Sequence, residues 1–263
     1  MTKKRHGKWI SQYKEGQLTE RLKDLYWNRG LSLERIAEIE NVRVSTVHKR
    51  MKLLGIALRK QHDWHRVHVN ITPSEELAYI IGVLLGDGAV CGKQIRLRTV
   101  DIKFAESFYK ALKQVGFHPG LTIEENHGFG HKPLYVTTAA SVDFVKWFKN
   151  LSINDIEAIV LKTRNLAVSF LRGFYESEGC LRVEKQGNPR AMLYNTNRQI
   201  VNLVVKAINF IGFNAYVQGP YNVYIQEPNG TRRKCKPVFY IQIPRPDSVS
   251  FISKLSPCIK GVM

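Results

Sequence analysis

Apolar residues gather in two short stretches that share one layout. Ile80 to Gly88 reads IIGVLLGDG and Leu171 to Gly179 reads LRGFYESEG. Gly82 matches Gly173, Asp87 matches Glu178, and Gly88 matches Gly179. Each acid closes an apolar run long enough for a helix, and the following Gly suits a helix stop at positive φ. A Gly inside an apolar helix lets a second backbone approach. The pattern predicts two helices packed through Gly82 and Gly173, each delivering one carboxylate to a shared point.

The likeness continues downstream. Lys110-Ala111 matches Lys206-Ala207, Val115-Gly116-Phe117 matches Ile211-Gly212-Phe213, Lys132-Pro133-Leu134-Tyr135 matches Lys236-Pro237-Val238-Phe239, and Ser141-Val142 matches Ser248-Val249. The offset grows steadily, as longer loops in a second copy require. Each copy reads as helix, strand, strand, amphipathic helix (Ile102 to Val115; Gln199 to Ile211), hairpin, and last helix (Ser141 to Leu151; Asp247 to Leu255). Turn residues mark the hairpins, at Asn126 to Gly130 and at Pro228-Asn229-Gly230. Thr72-Pro73-Ser74-Glu75 reads as a capping box with Pro at the first helical position.

Upstream, Leu18, Leu22, Leu25 and Tyr26 share a helix face that Gly30 would end. Ser32 to Ile39 reads as a second helix burying Leu33, Ile36 and Ala37, with a tight turn at Glu40-Asn41-Val42. Ser45 to Leu54 reads as a third, with Ser45 as its N-cap. The module resembles a helix-turn-helix of the resolvase or sigma-factor type. That resemblance puts Arg43, Ser45, Thr46, His48, Lys49 and Lys52 toward a major groove.

Charge narrows the function classes. The chain has 263 residues, 40 Lys and Arg against 22 Asp and Glu, and a net charge of +18. Such an excess points to a polyanion, nucleic acid before membrane, since no segment has the length of a spanning helix. No apolar signal core follows the basic N-terminus, so an intracellular protein is expected: cytoplasmic or nucleoid in a prokaryote or phage, organellar otherwise. Cys91, Cys180, Cys235 and Cys258 have no metal-ligand spacing and read as reduced thiols. His62, His65 and His68, three apart in a basic linker, read as lying along phosphates rather than as ligands. The expected organisation is 1–60 helix-turn-helix domain, 61–72 basic linker, 73–160 first half-domain and 161–263 second half-domain.

The two motifs, their spacing and the repeated element order resemble a LAGLIDADG homing endonuclease with both copies on one chain. The resemblance covers Thr72 to the C-terminus. It implies an α+β fold: a pseudo-twofold αββαββα repeat whose two sheets form a saddle over duplex DNA, preceded here by the small all-α domain. Ile95-Arg96-Leu97-Arg98-Thr99 alternates, so Arg96 and Arg98 would face outward. With Lys93, they form the DNA-binding row of copy one; Arg182, Lys185, Arg190, Asn195 and Arg198 form that of copy two. Arg232, Arg233 and Lys234 suit phosphates near the hairpin tip.

Phosphodiester hydrolysis needs an attacking water, charge stabilisation and support for the leaving 3′ oxygen, which divalent ions held between two carboxylates supply. Asp87 and Glu178 are therefore the catalytic and metal-holding candidates, with Mg²⁺ the expected ion and Mn²⁺ able to replace it. The resemblance adds the backbone carbonyls of Gly86 and Ser177 to the metal set. Many members also carry Lys or Gln where this chain has Thr99, Val100, Asn195 and Thr196. Lys103 and Arg198 lie a few residues on as auxiliary catalytic candidates.

The expected function is site-specific double-strand DNA cleavage by a monomer. The alternative is a catalytically weak or inactive binder on the same fold, an intron maturase acting on RNA or a transcription regulator. An intact intein is not expected, because Met1-Thr2 offers no nucleophile and Gly261-Val262-Met263 no terminal Asn.

Overall fold

The computed structural model describes residues 13, 16–29, 31–58, 67, 69–125, 132–183, 189–226 and 230–261. The chain divides into two compact units, residues 1–64 and 65–263.

In the first unit, α1 (Gln17–Lys23) runs into a single π-helical turn, Asp24–Asn28. Helices α2 (Leu33–Ile39) and α3 (Val44–Leu53) follow. Leu18, Leu22, Leu25, Tyr26, Ile36, Ala37, Val47, Met51 and Ile56 form its core. The Ser32 side chain caps α2 by accepting from the Arg35 N–H at 3.2 Å. The turn between α2 and α3 sets Asn41 at φ 51°, a conformation Asn tolerates. One expectation fails: α3 starts at Val44 with Arg43 as its N-cap, so Ser45 lies inside the helix. Arg43 is extended and its carbonyl already accepts from the Val47 N–H, so the first turn closes ahead of Ser45 without a side-chain cap. Gly30, the expected stop of the first helix, lies outside the described residues.

The second unit is α+β and holds two copies of one topology. Copy one runs α4 (Glu75–Leu85), β1 (Ala89–Cys91), β2 (Gln94–Thr99), α5 (Ile102–Gln114), β3 (Gly120–Glu124), β4 (Leu134–Ala140) and α6 (Val142–Asn150). A helix absent from the expected pattern, α7 (Ile153–Val160), leads to copy two. That copy runs α8 (Arg164–Glu178), β5 (Gly179–Val183), β6 (Pro189–Asn195), α9 (Arg198–Phe210), β7 (Tyr216–Tyr221), an added two-stranded arm β8 (Tyr224–Gln226) and β9 (Arg232–Lys234), β10 (Val238–Gln242) and α10 (Arg245–Leu255). The antiparallel sheets have matching orders, β1-β2-β4-β3 and β5-β6-β10-β7. The pairing Leu97↔Thr137 in one corresponds to Leu193↔Ile241 in the other, and all four residues are buried.

The repeat is physical down to its turns. Thr99 Oγ1 accepts from the Asp101 N–H, and Asp101 then caps α5; Asn195 Oδ1 accepts from the Asn197 N–H, and Asn197 then caps α9. Both helices stop at a Gly with positive φ, Gly116 at 98° and Gly212 at 96°.

Two local expectations change. Ser74, not Thr72, caps α4, accepting from Leu77 N–H at 3.2 Å, and Pro73 precedes the cap. Gly88 and Gly179 do not adopt positive φ. Gly179 is extended at φ −89°, and a Cβ there would lie 2.2 Å from the Tyr175 ring and 2.5 Å from the Tyr175 carbonyl. These glycines answer to lack of space, not to backbone handedness. The turn at 126–130 and residues 228–229 lie outside the described residues.

Candidate active site

The site is built where α4 and α8 cross. A Cβ on Gly82 would lie 2.2 Å from the Phe170 carbonyl oxygen, and one on Gly173 would lie 2.3 Å from that of Tyr79. The two backbones thus touch reciprocally, and no side chain fits between them. Tyr79, Val83, Phe170 and Phe174 seal the crossing and are fully buried. Close contact persists to the ends of the motifs. A Cβ on Gly86 would lie 2.4 Å from Ser177 Cβ and 3.0 Å from Glu178 Cγ. Residues 91 positions apart along the chain, 87 and 178, are thereby carried to the same place.

The two acids leave their helices differently. Helix α4 ends at Leu85, Gly86 is its C-cap, and Asp87 stands beyond it, open to solvent. Glu178 is the last residue of α8 and is half-buried. Burial raises both pKa values. Glu178 is pushed up to about 7, first by desolvation and then by the negative charge of Asp87, with Lys260 pulling the other way. Asp87 is raised by desolvation, opposed by Lys260. It is solvent-accessible yet crowded by protein, and the crowding sets the direction. Two carboxylates crowded together in a partly desolvated place favour a cation between them.

A basic group unforeseen in the sequence stands beside them. Lys260, in the segment after α10, donates from Nζ to the carbonyl oxygens of Glu176 and Ser177, each at 2.8 Å. Glu176 organises this corner. It is buried within α8; its carboxylate accepts from the Tyr79 hydroxyl at 2.6 Å and from the Cys258 N–H at 2.7 Å. The Tyr175 hydroxyl donates to the Lys260 carbonyl at 3.0 Å. Lys260, Cys258, Val100, Asp101 and Lys103 line a pocket of about 750 Å³. A charged residue inside LRGFYESEG, at Glu176, was the one available signal for this network; nothing in the local sequence marks Lys260.

The donors that the motif resemblance supplies beside Lys260 are all oxygens: the two carboxylates and the Gly86 and Ser177 carbonyls. That set fits a hard ion such as Mg²⁺ or Mn²⁺, which retains several waters. Among the described residues, no group of three or more His, Cys, Asp and Glu is placed to hold a metal. One of the candidate donors, the Ser177 carbonyl, already accepts from Lys260.

The other candidates are distributed as follows. On α3, Ser45, His48, Lys49 and Lys52 form one exposed face opposite Val47 and Met51; Arg43 is exposed before it and Thr46 is half-buried. Arg96 and Arg98 share the outward side of β2, and Arg98 forms an ion pair with Glu124. Lys93 is exposed in the β1–β2 turn. Arg182 is exposed and pairs in register with Arg190, whose guanidinium donates to Gln242 at 3.4 Å. Asn195 spends its side chain on the turn before α9. Arg198 lies over the Phe239 ring at 5.0 Å, and Lys103 sits in the first turn of α5. Arg232, Arg233 and Lys234 form β9, with Arg232 4.4 Å from the Tyr224 ring centre. Lys185, His62, His65 and His68 lie outside the described residues. No helix among the described residues is long and apolar enough to cross a membrane.

Residues 74–151 match a family model described as a LAGLIDADG-like domain. An uncharacterized protein of Methanocaldococcus jannaschii, MJ0314, is 32% identical over 169 residues, which cover 61% of this chain and 61% of that one. The chain therefore spans under two thirds of this relative's length. Among solved structures, I-DmoI in complex with DNA and Ca is 16% identical, with a TM-score of 0.47 over 70% of this chain and 90% of its own. The N-terminal LAGLIDADG domain of DUF199/WhiA is 18% identical, with a TM-score of 0.47 over 78% and 93%.

Proposed function

We propose that this chain, which carries a LAGLIDADG-like domain, is a site-specific endonuclease that cuts both strands of duplex DNA by metal-assisted hydrolysis. The observation that carries the reading is the convergence of Asp87 and Glu178 at the end of a glycine crossing too close for any side chain. A helix pair needs no such convergence of acids for stability; placing two carboxylates together is costly unless a cation is to be held.

Each step is assigned to residues of the chain. Asp87 and Glu178, with the Gly86 and Ser177 carbonyls, would hold Mg²⁺ or Mn²⁺. The ion would supply Lewis acidity and lower the pKa of a bound water. Arg96 and Arg98 of copy one, and Arg182 and Arg190 of copy two, would engage base edges and phosphates of unlike half-sites. The exposed face of α3 would extend the contact, and Arg232, Arg233 and Lys234 would meet backbone phosphates. Net charge of +18 supports a large phosphate contribution to affinity. One chain supplies both acids, so a monomer suffices.

The test is incubation with Mg²⁺ and duplex DNA spanning the gene's own insertion site. A staggered double-strand break is expected, lost in Asp87→Asn and Glu178→Gln while binding is retained. Tight binding that leaves the DNA intact would replace this reading with the non-catalytic one.

A further inference from the structure

We propose that Lys260 is a positioning residue that serves as a tethered cation at the acid pair and sets how tightly the site takes a divalent ion. The inference rests on the reading of Asp87 and Glu178 as metal-holding acids. It concerns a residue outside both motifs.

Geometry supports it. The last carbonyls of a helix lack intrahelical partners and form the negative end of its dipole. On α8 two of these, Glu176 and Ser177, accept from one ammonium at 2.8 Å each. The ammonium therefore occupies an oxygen that the proposed metal set would also use. Its influence on Asp87 and Glu178 acts through space: it favours the ionised form of each, while burial lowers its own pKa and the two acids oppose that lowering.

The lysine is held there. Its backbone adopts φ 58°, unfavourable for a side chain with a Cβ, and its carbonyl accepts from the Tyr175 hydroxyl. Two residues earlier, the Cys258 N–H is fixed by the buried Glu176 carboxylate. With Lys260 in place, an incoming divalent ion meets two carboxylates already partly neutralised, and it competes for the Ser177 oxygen. Without the ammonium, it meets the full charge of the pair.

Two roles for Lys260 predict opposite results. If the lysine only fastened the end of α8, its loss would loosen the acids and weaken metal binding. As a tethered cation, its loss strengthens metal binding. Calorimetric titration of the full chain with Ca²⁺ alone, without DNA, separates them. Lys260→Met is expected to bind Ca²⁺ at least tenfold more tightly than the unaltered chain, on the order of the change from removing one nearby charge. Lys260→Gln, which keeps a donor for the carbonyls, is expected to do the same, and provides the result should Lys260→Met fail to fold. Lys260→Arg restores a cation and should return the affinity toward that of the unaltered chain.

Equal or weaker binding in the folded neutral variants overturns the proposal. If that binding is still abolished by Asp87→Asn with Glu178→Gln, the metal reading stands without it. Absence of Ca²⁺ binding in every variant, the neutral ones included, overturns the metal reading itself.

Discussion

The α4–α8 crossing makes a quantitative prediction through Gly82→Ala. The added methyl would lie 2.2 Å from the Phe170 carbonyl oxygen and 2.8 Å from the Phe174 nitrogen. An ordinary carbon–oxygen contact is about 3.3 Å, so the helices must part by roughly 1 Å. Both obstructing atoms are backbone, so no rotamer change relieves them. A gap of that size forfeits about a quarter to a half of the dispersion energy across the seam, which involves Tyr79, Val83, Phe170 and Phe174. Overpacking of a core costs ~1–3 kcal/mol and more against backbone, and we take about 4 here. Alanine returns about 1 kcal/mol through helix propensity. The net loss is therefore about 3 kcal/mol, measured by urea unfolding at constant m-value.

Gly120→Ala is the control, since its Cβ would stand 3.7 Å from Thr138 Oγ1 in ordinary contact, and it should stay within about 0.5 kcal/mol. Gly82→Ala combined with Gly173→Ala should cost less than the sum of the two, because helices already parted accommodate the second methyl more easily. A Gly82→Ala chain as stable as Gly120→Ala would refute the claim that backbone contact sets this geometry.

Other predictions concern the network, the charge and the first unit. Glu176→Ala leaves the Tyr79 hydroxyl and Cys258 N–H without their acceptor and should lower stability by about 3 kcal/mol; thermal melts and faster proteolysis after α10 would show it. In the metal-free chain, Glu178 has a folded pKa near 7 against an ordinary 4.5. The folded state thus binds the extra proton across that window, and the stability it contributes is complete below pH 4.5 and lost as pH rises through 7. Melting temperature should fall over that range, and Glu178→Gln should flatten the fall; a rise would contradict the burial argument. Lys49→Ala with Lys52→Ala removes two exposed cations from α3 without touching Val47 or Met51. Melting should be unchanged, while the slope of DNA affinity against salt becomes shallower by about 2.

Much of the architecture was legible because it repeats. The matched Gly116 and Gly212 could be read as helix stops, and both carry the positive φ that makes glycine necessary. Alternation in β2 gave its faces correctly, since burial of Ile95 and Leu97 leaves Arg96 and Arg98 on the other side. The motif glycines were read for the wrong reason at Gly88 and Gly179. A one-dimensional pattern cannot separate a glycine required by φ from one required by a neighbouring ring, such as that of Tyr175. Helix α7 escaped because it had no counterpart to reveal it, and the β8–β9 arm was read only as the tip of copy two's hairpin, because Pro228-Asn229-Gly230 matched the turn expected there.

The corner around Lys260 was illegible for a deeper reason. Motif reading finds residues whose partners lie at fixed spacing, and Lys260 has partners at 175, 176 and 177 that only the folded chain supplies. At the offset of the last helices, 248 − 141 = 107, its counterpart in copy one is not a lysine but Ile153, the first residue of α7. The repeat therefore breaks at the position that governs charge beside the acids. Copy one gives its acid from beyond a helix end and open to water; copy two gives its acid from within the helix and half-buried, and one ammonium, held by copy two's helix, acts on both. Two related half-domains can keep identical sheet orders, which packing enforces, while their acids sit in unlike electrostatic surroundings, which packing does not. Burial raises both carboxylates, Glu178 to about 7 with the charge of Asp87 adding to it, so an arriving cation favours the ionised pair.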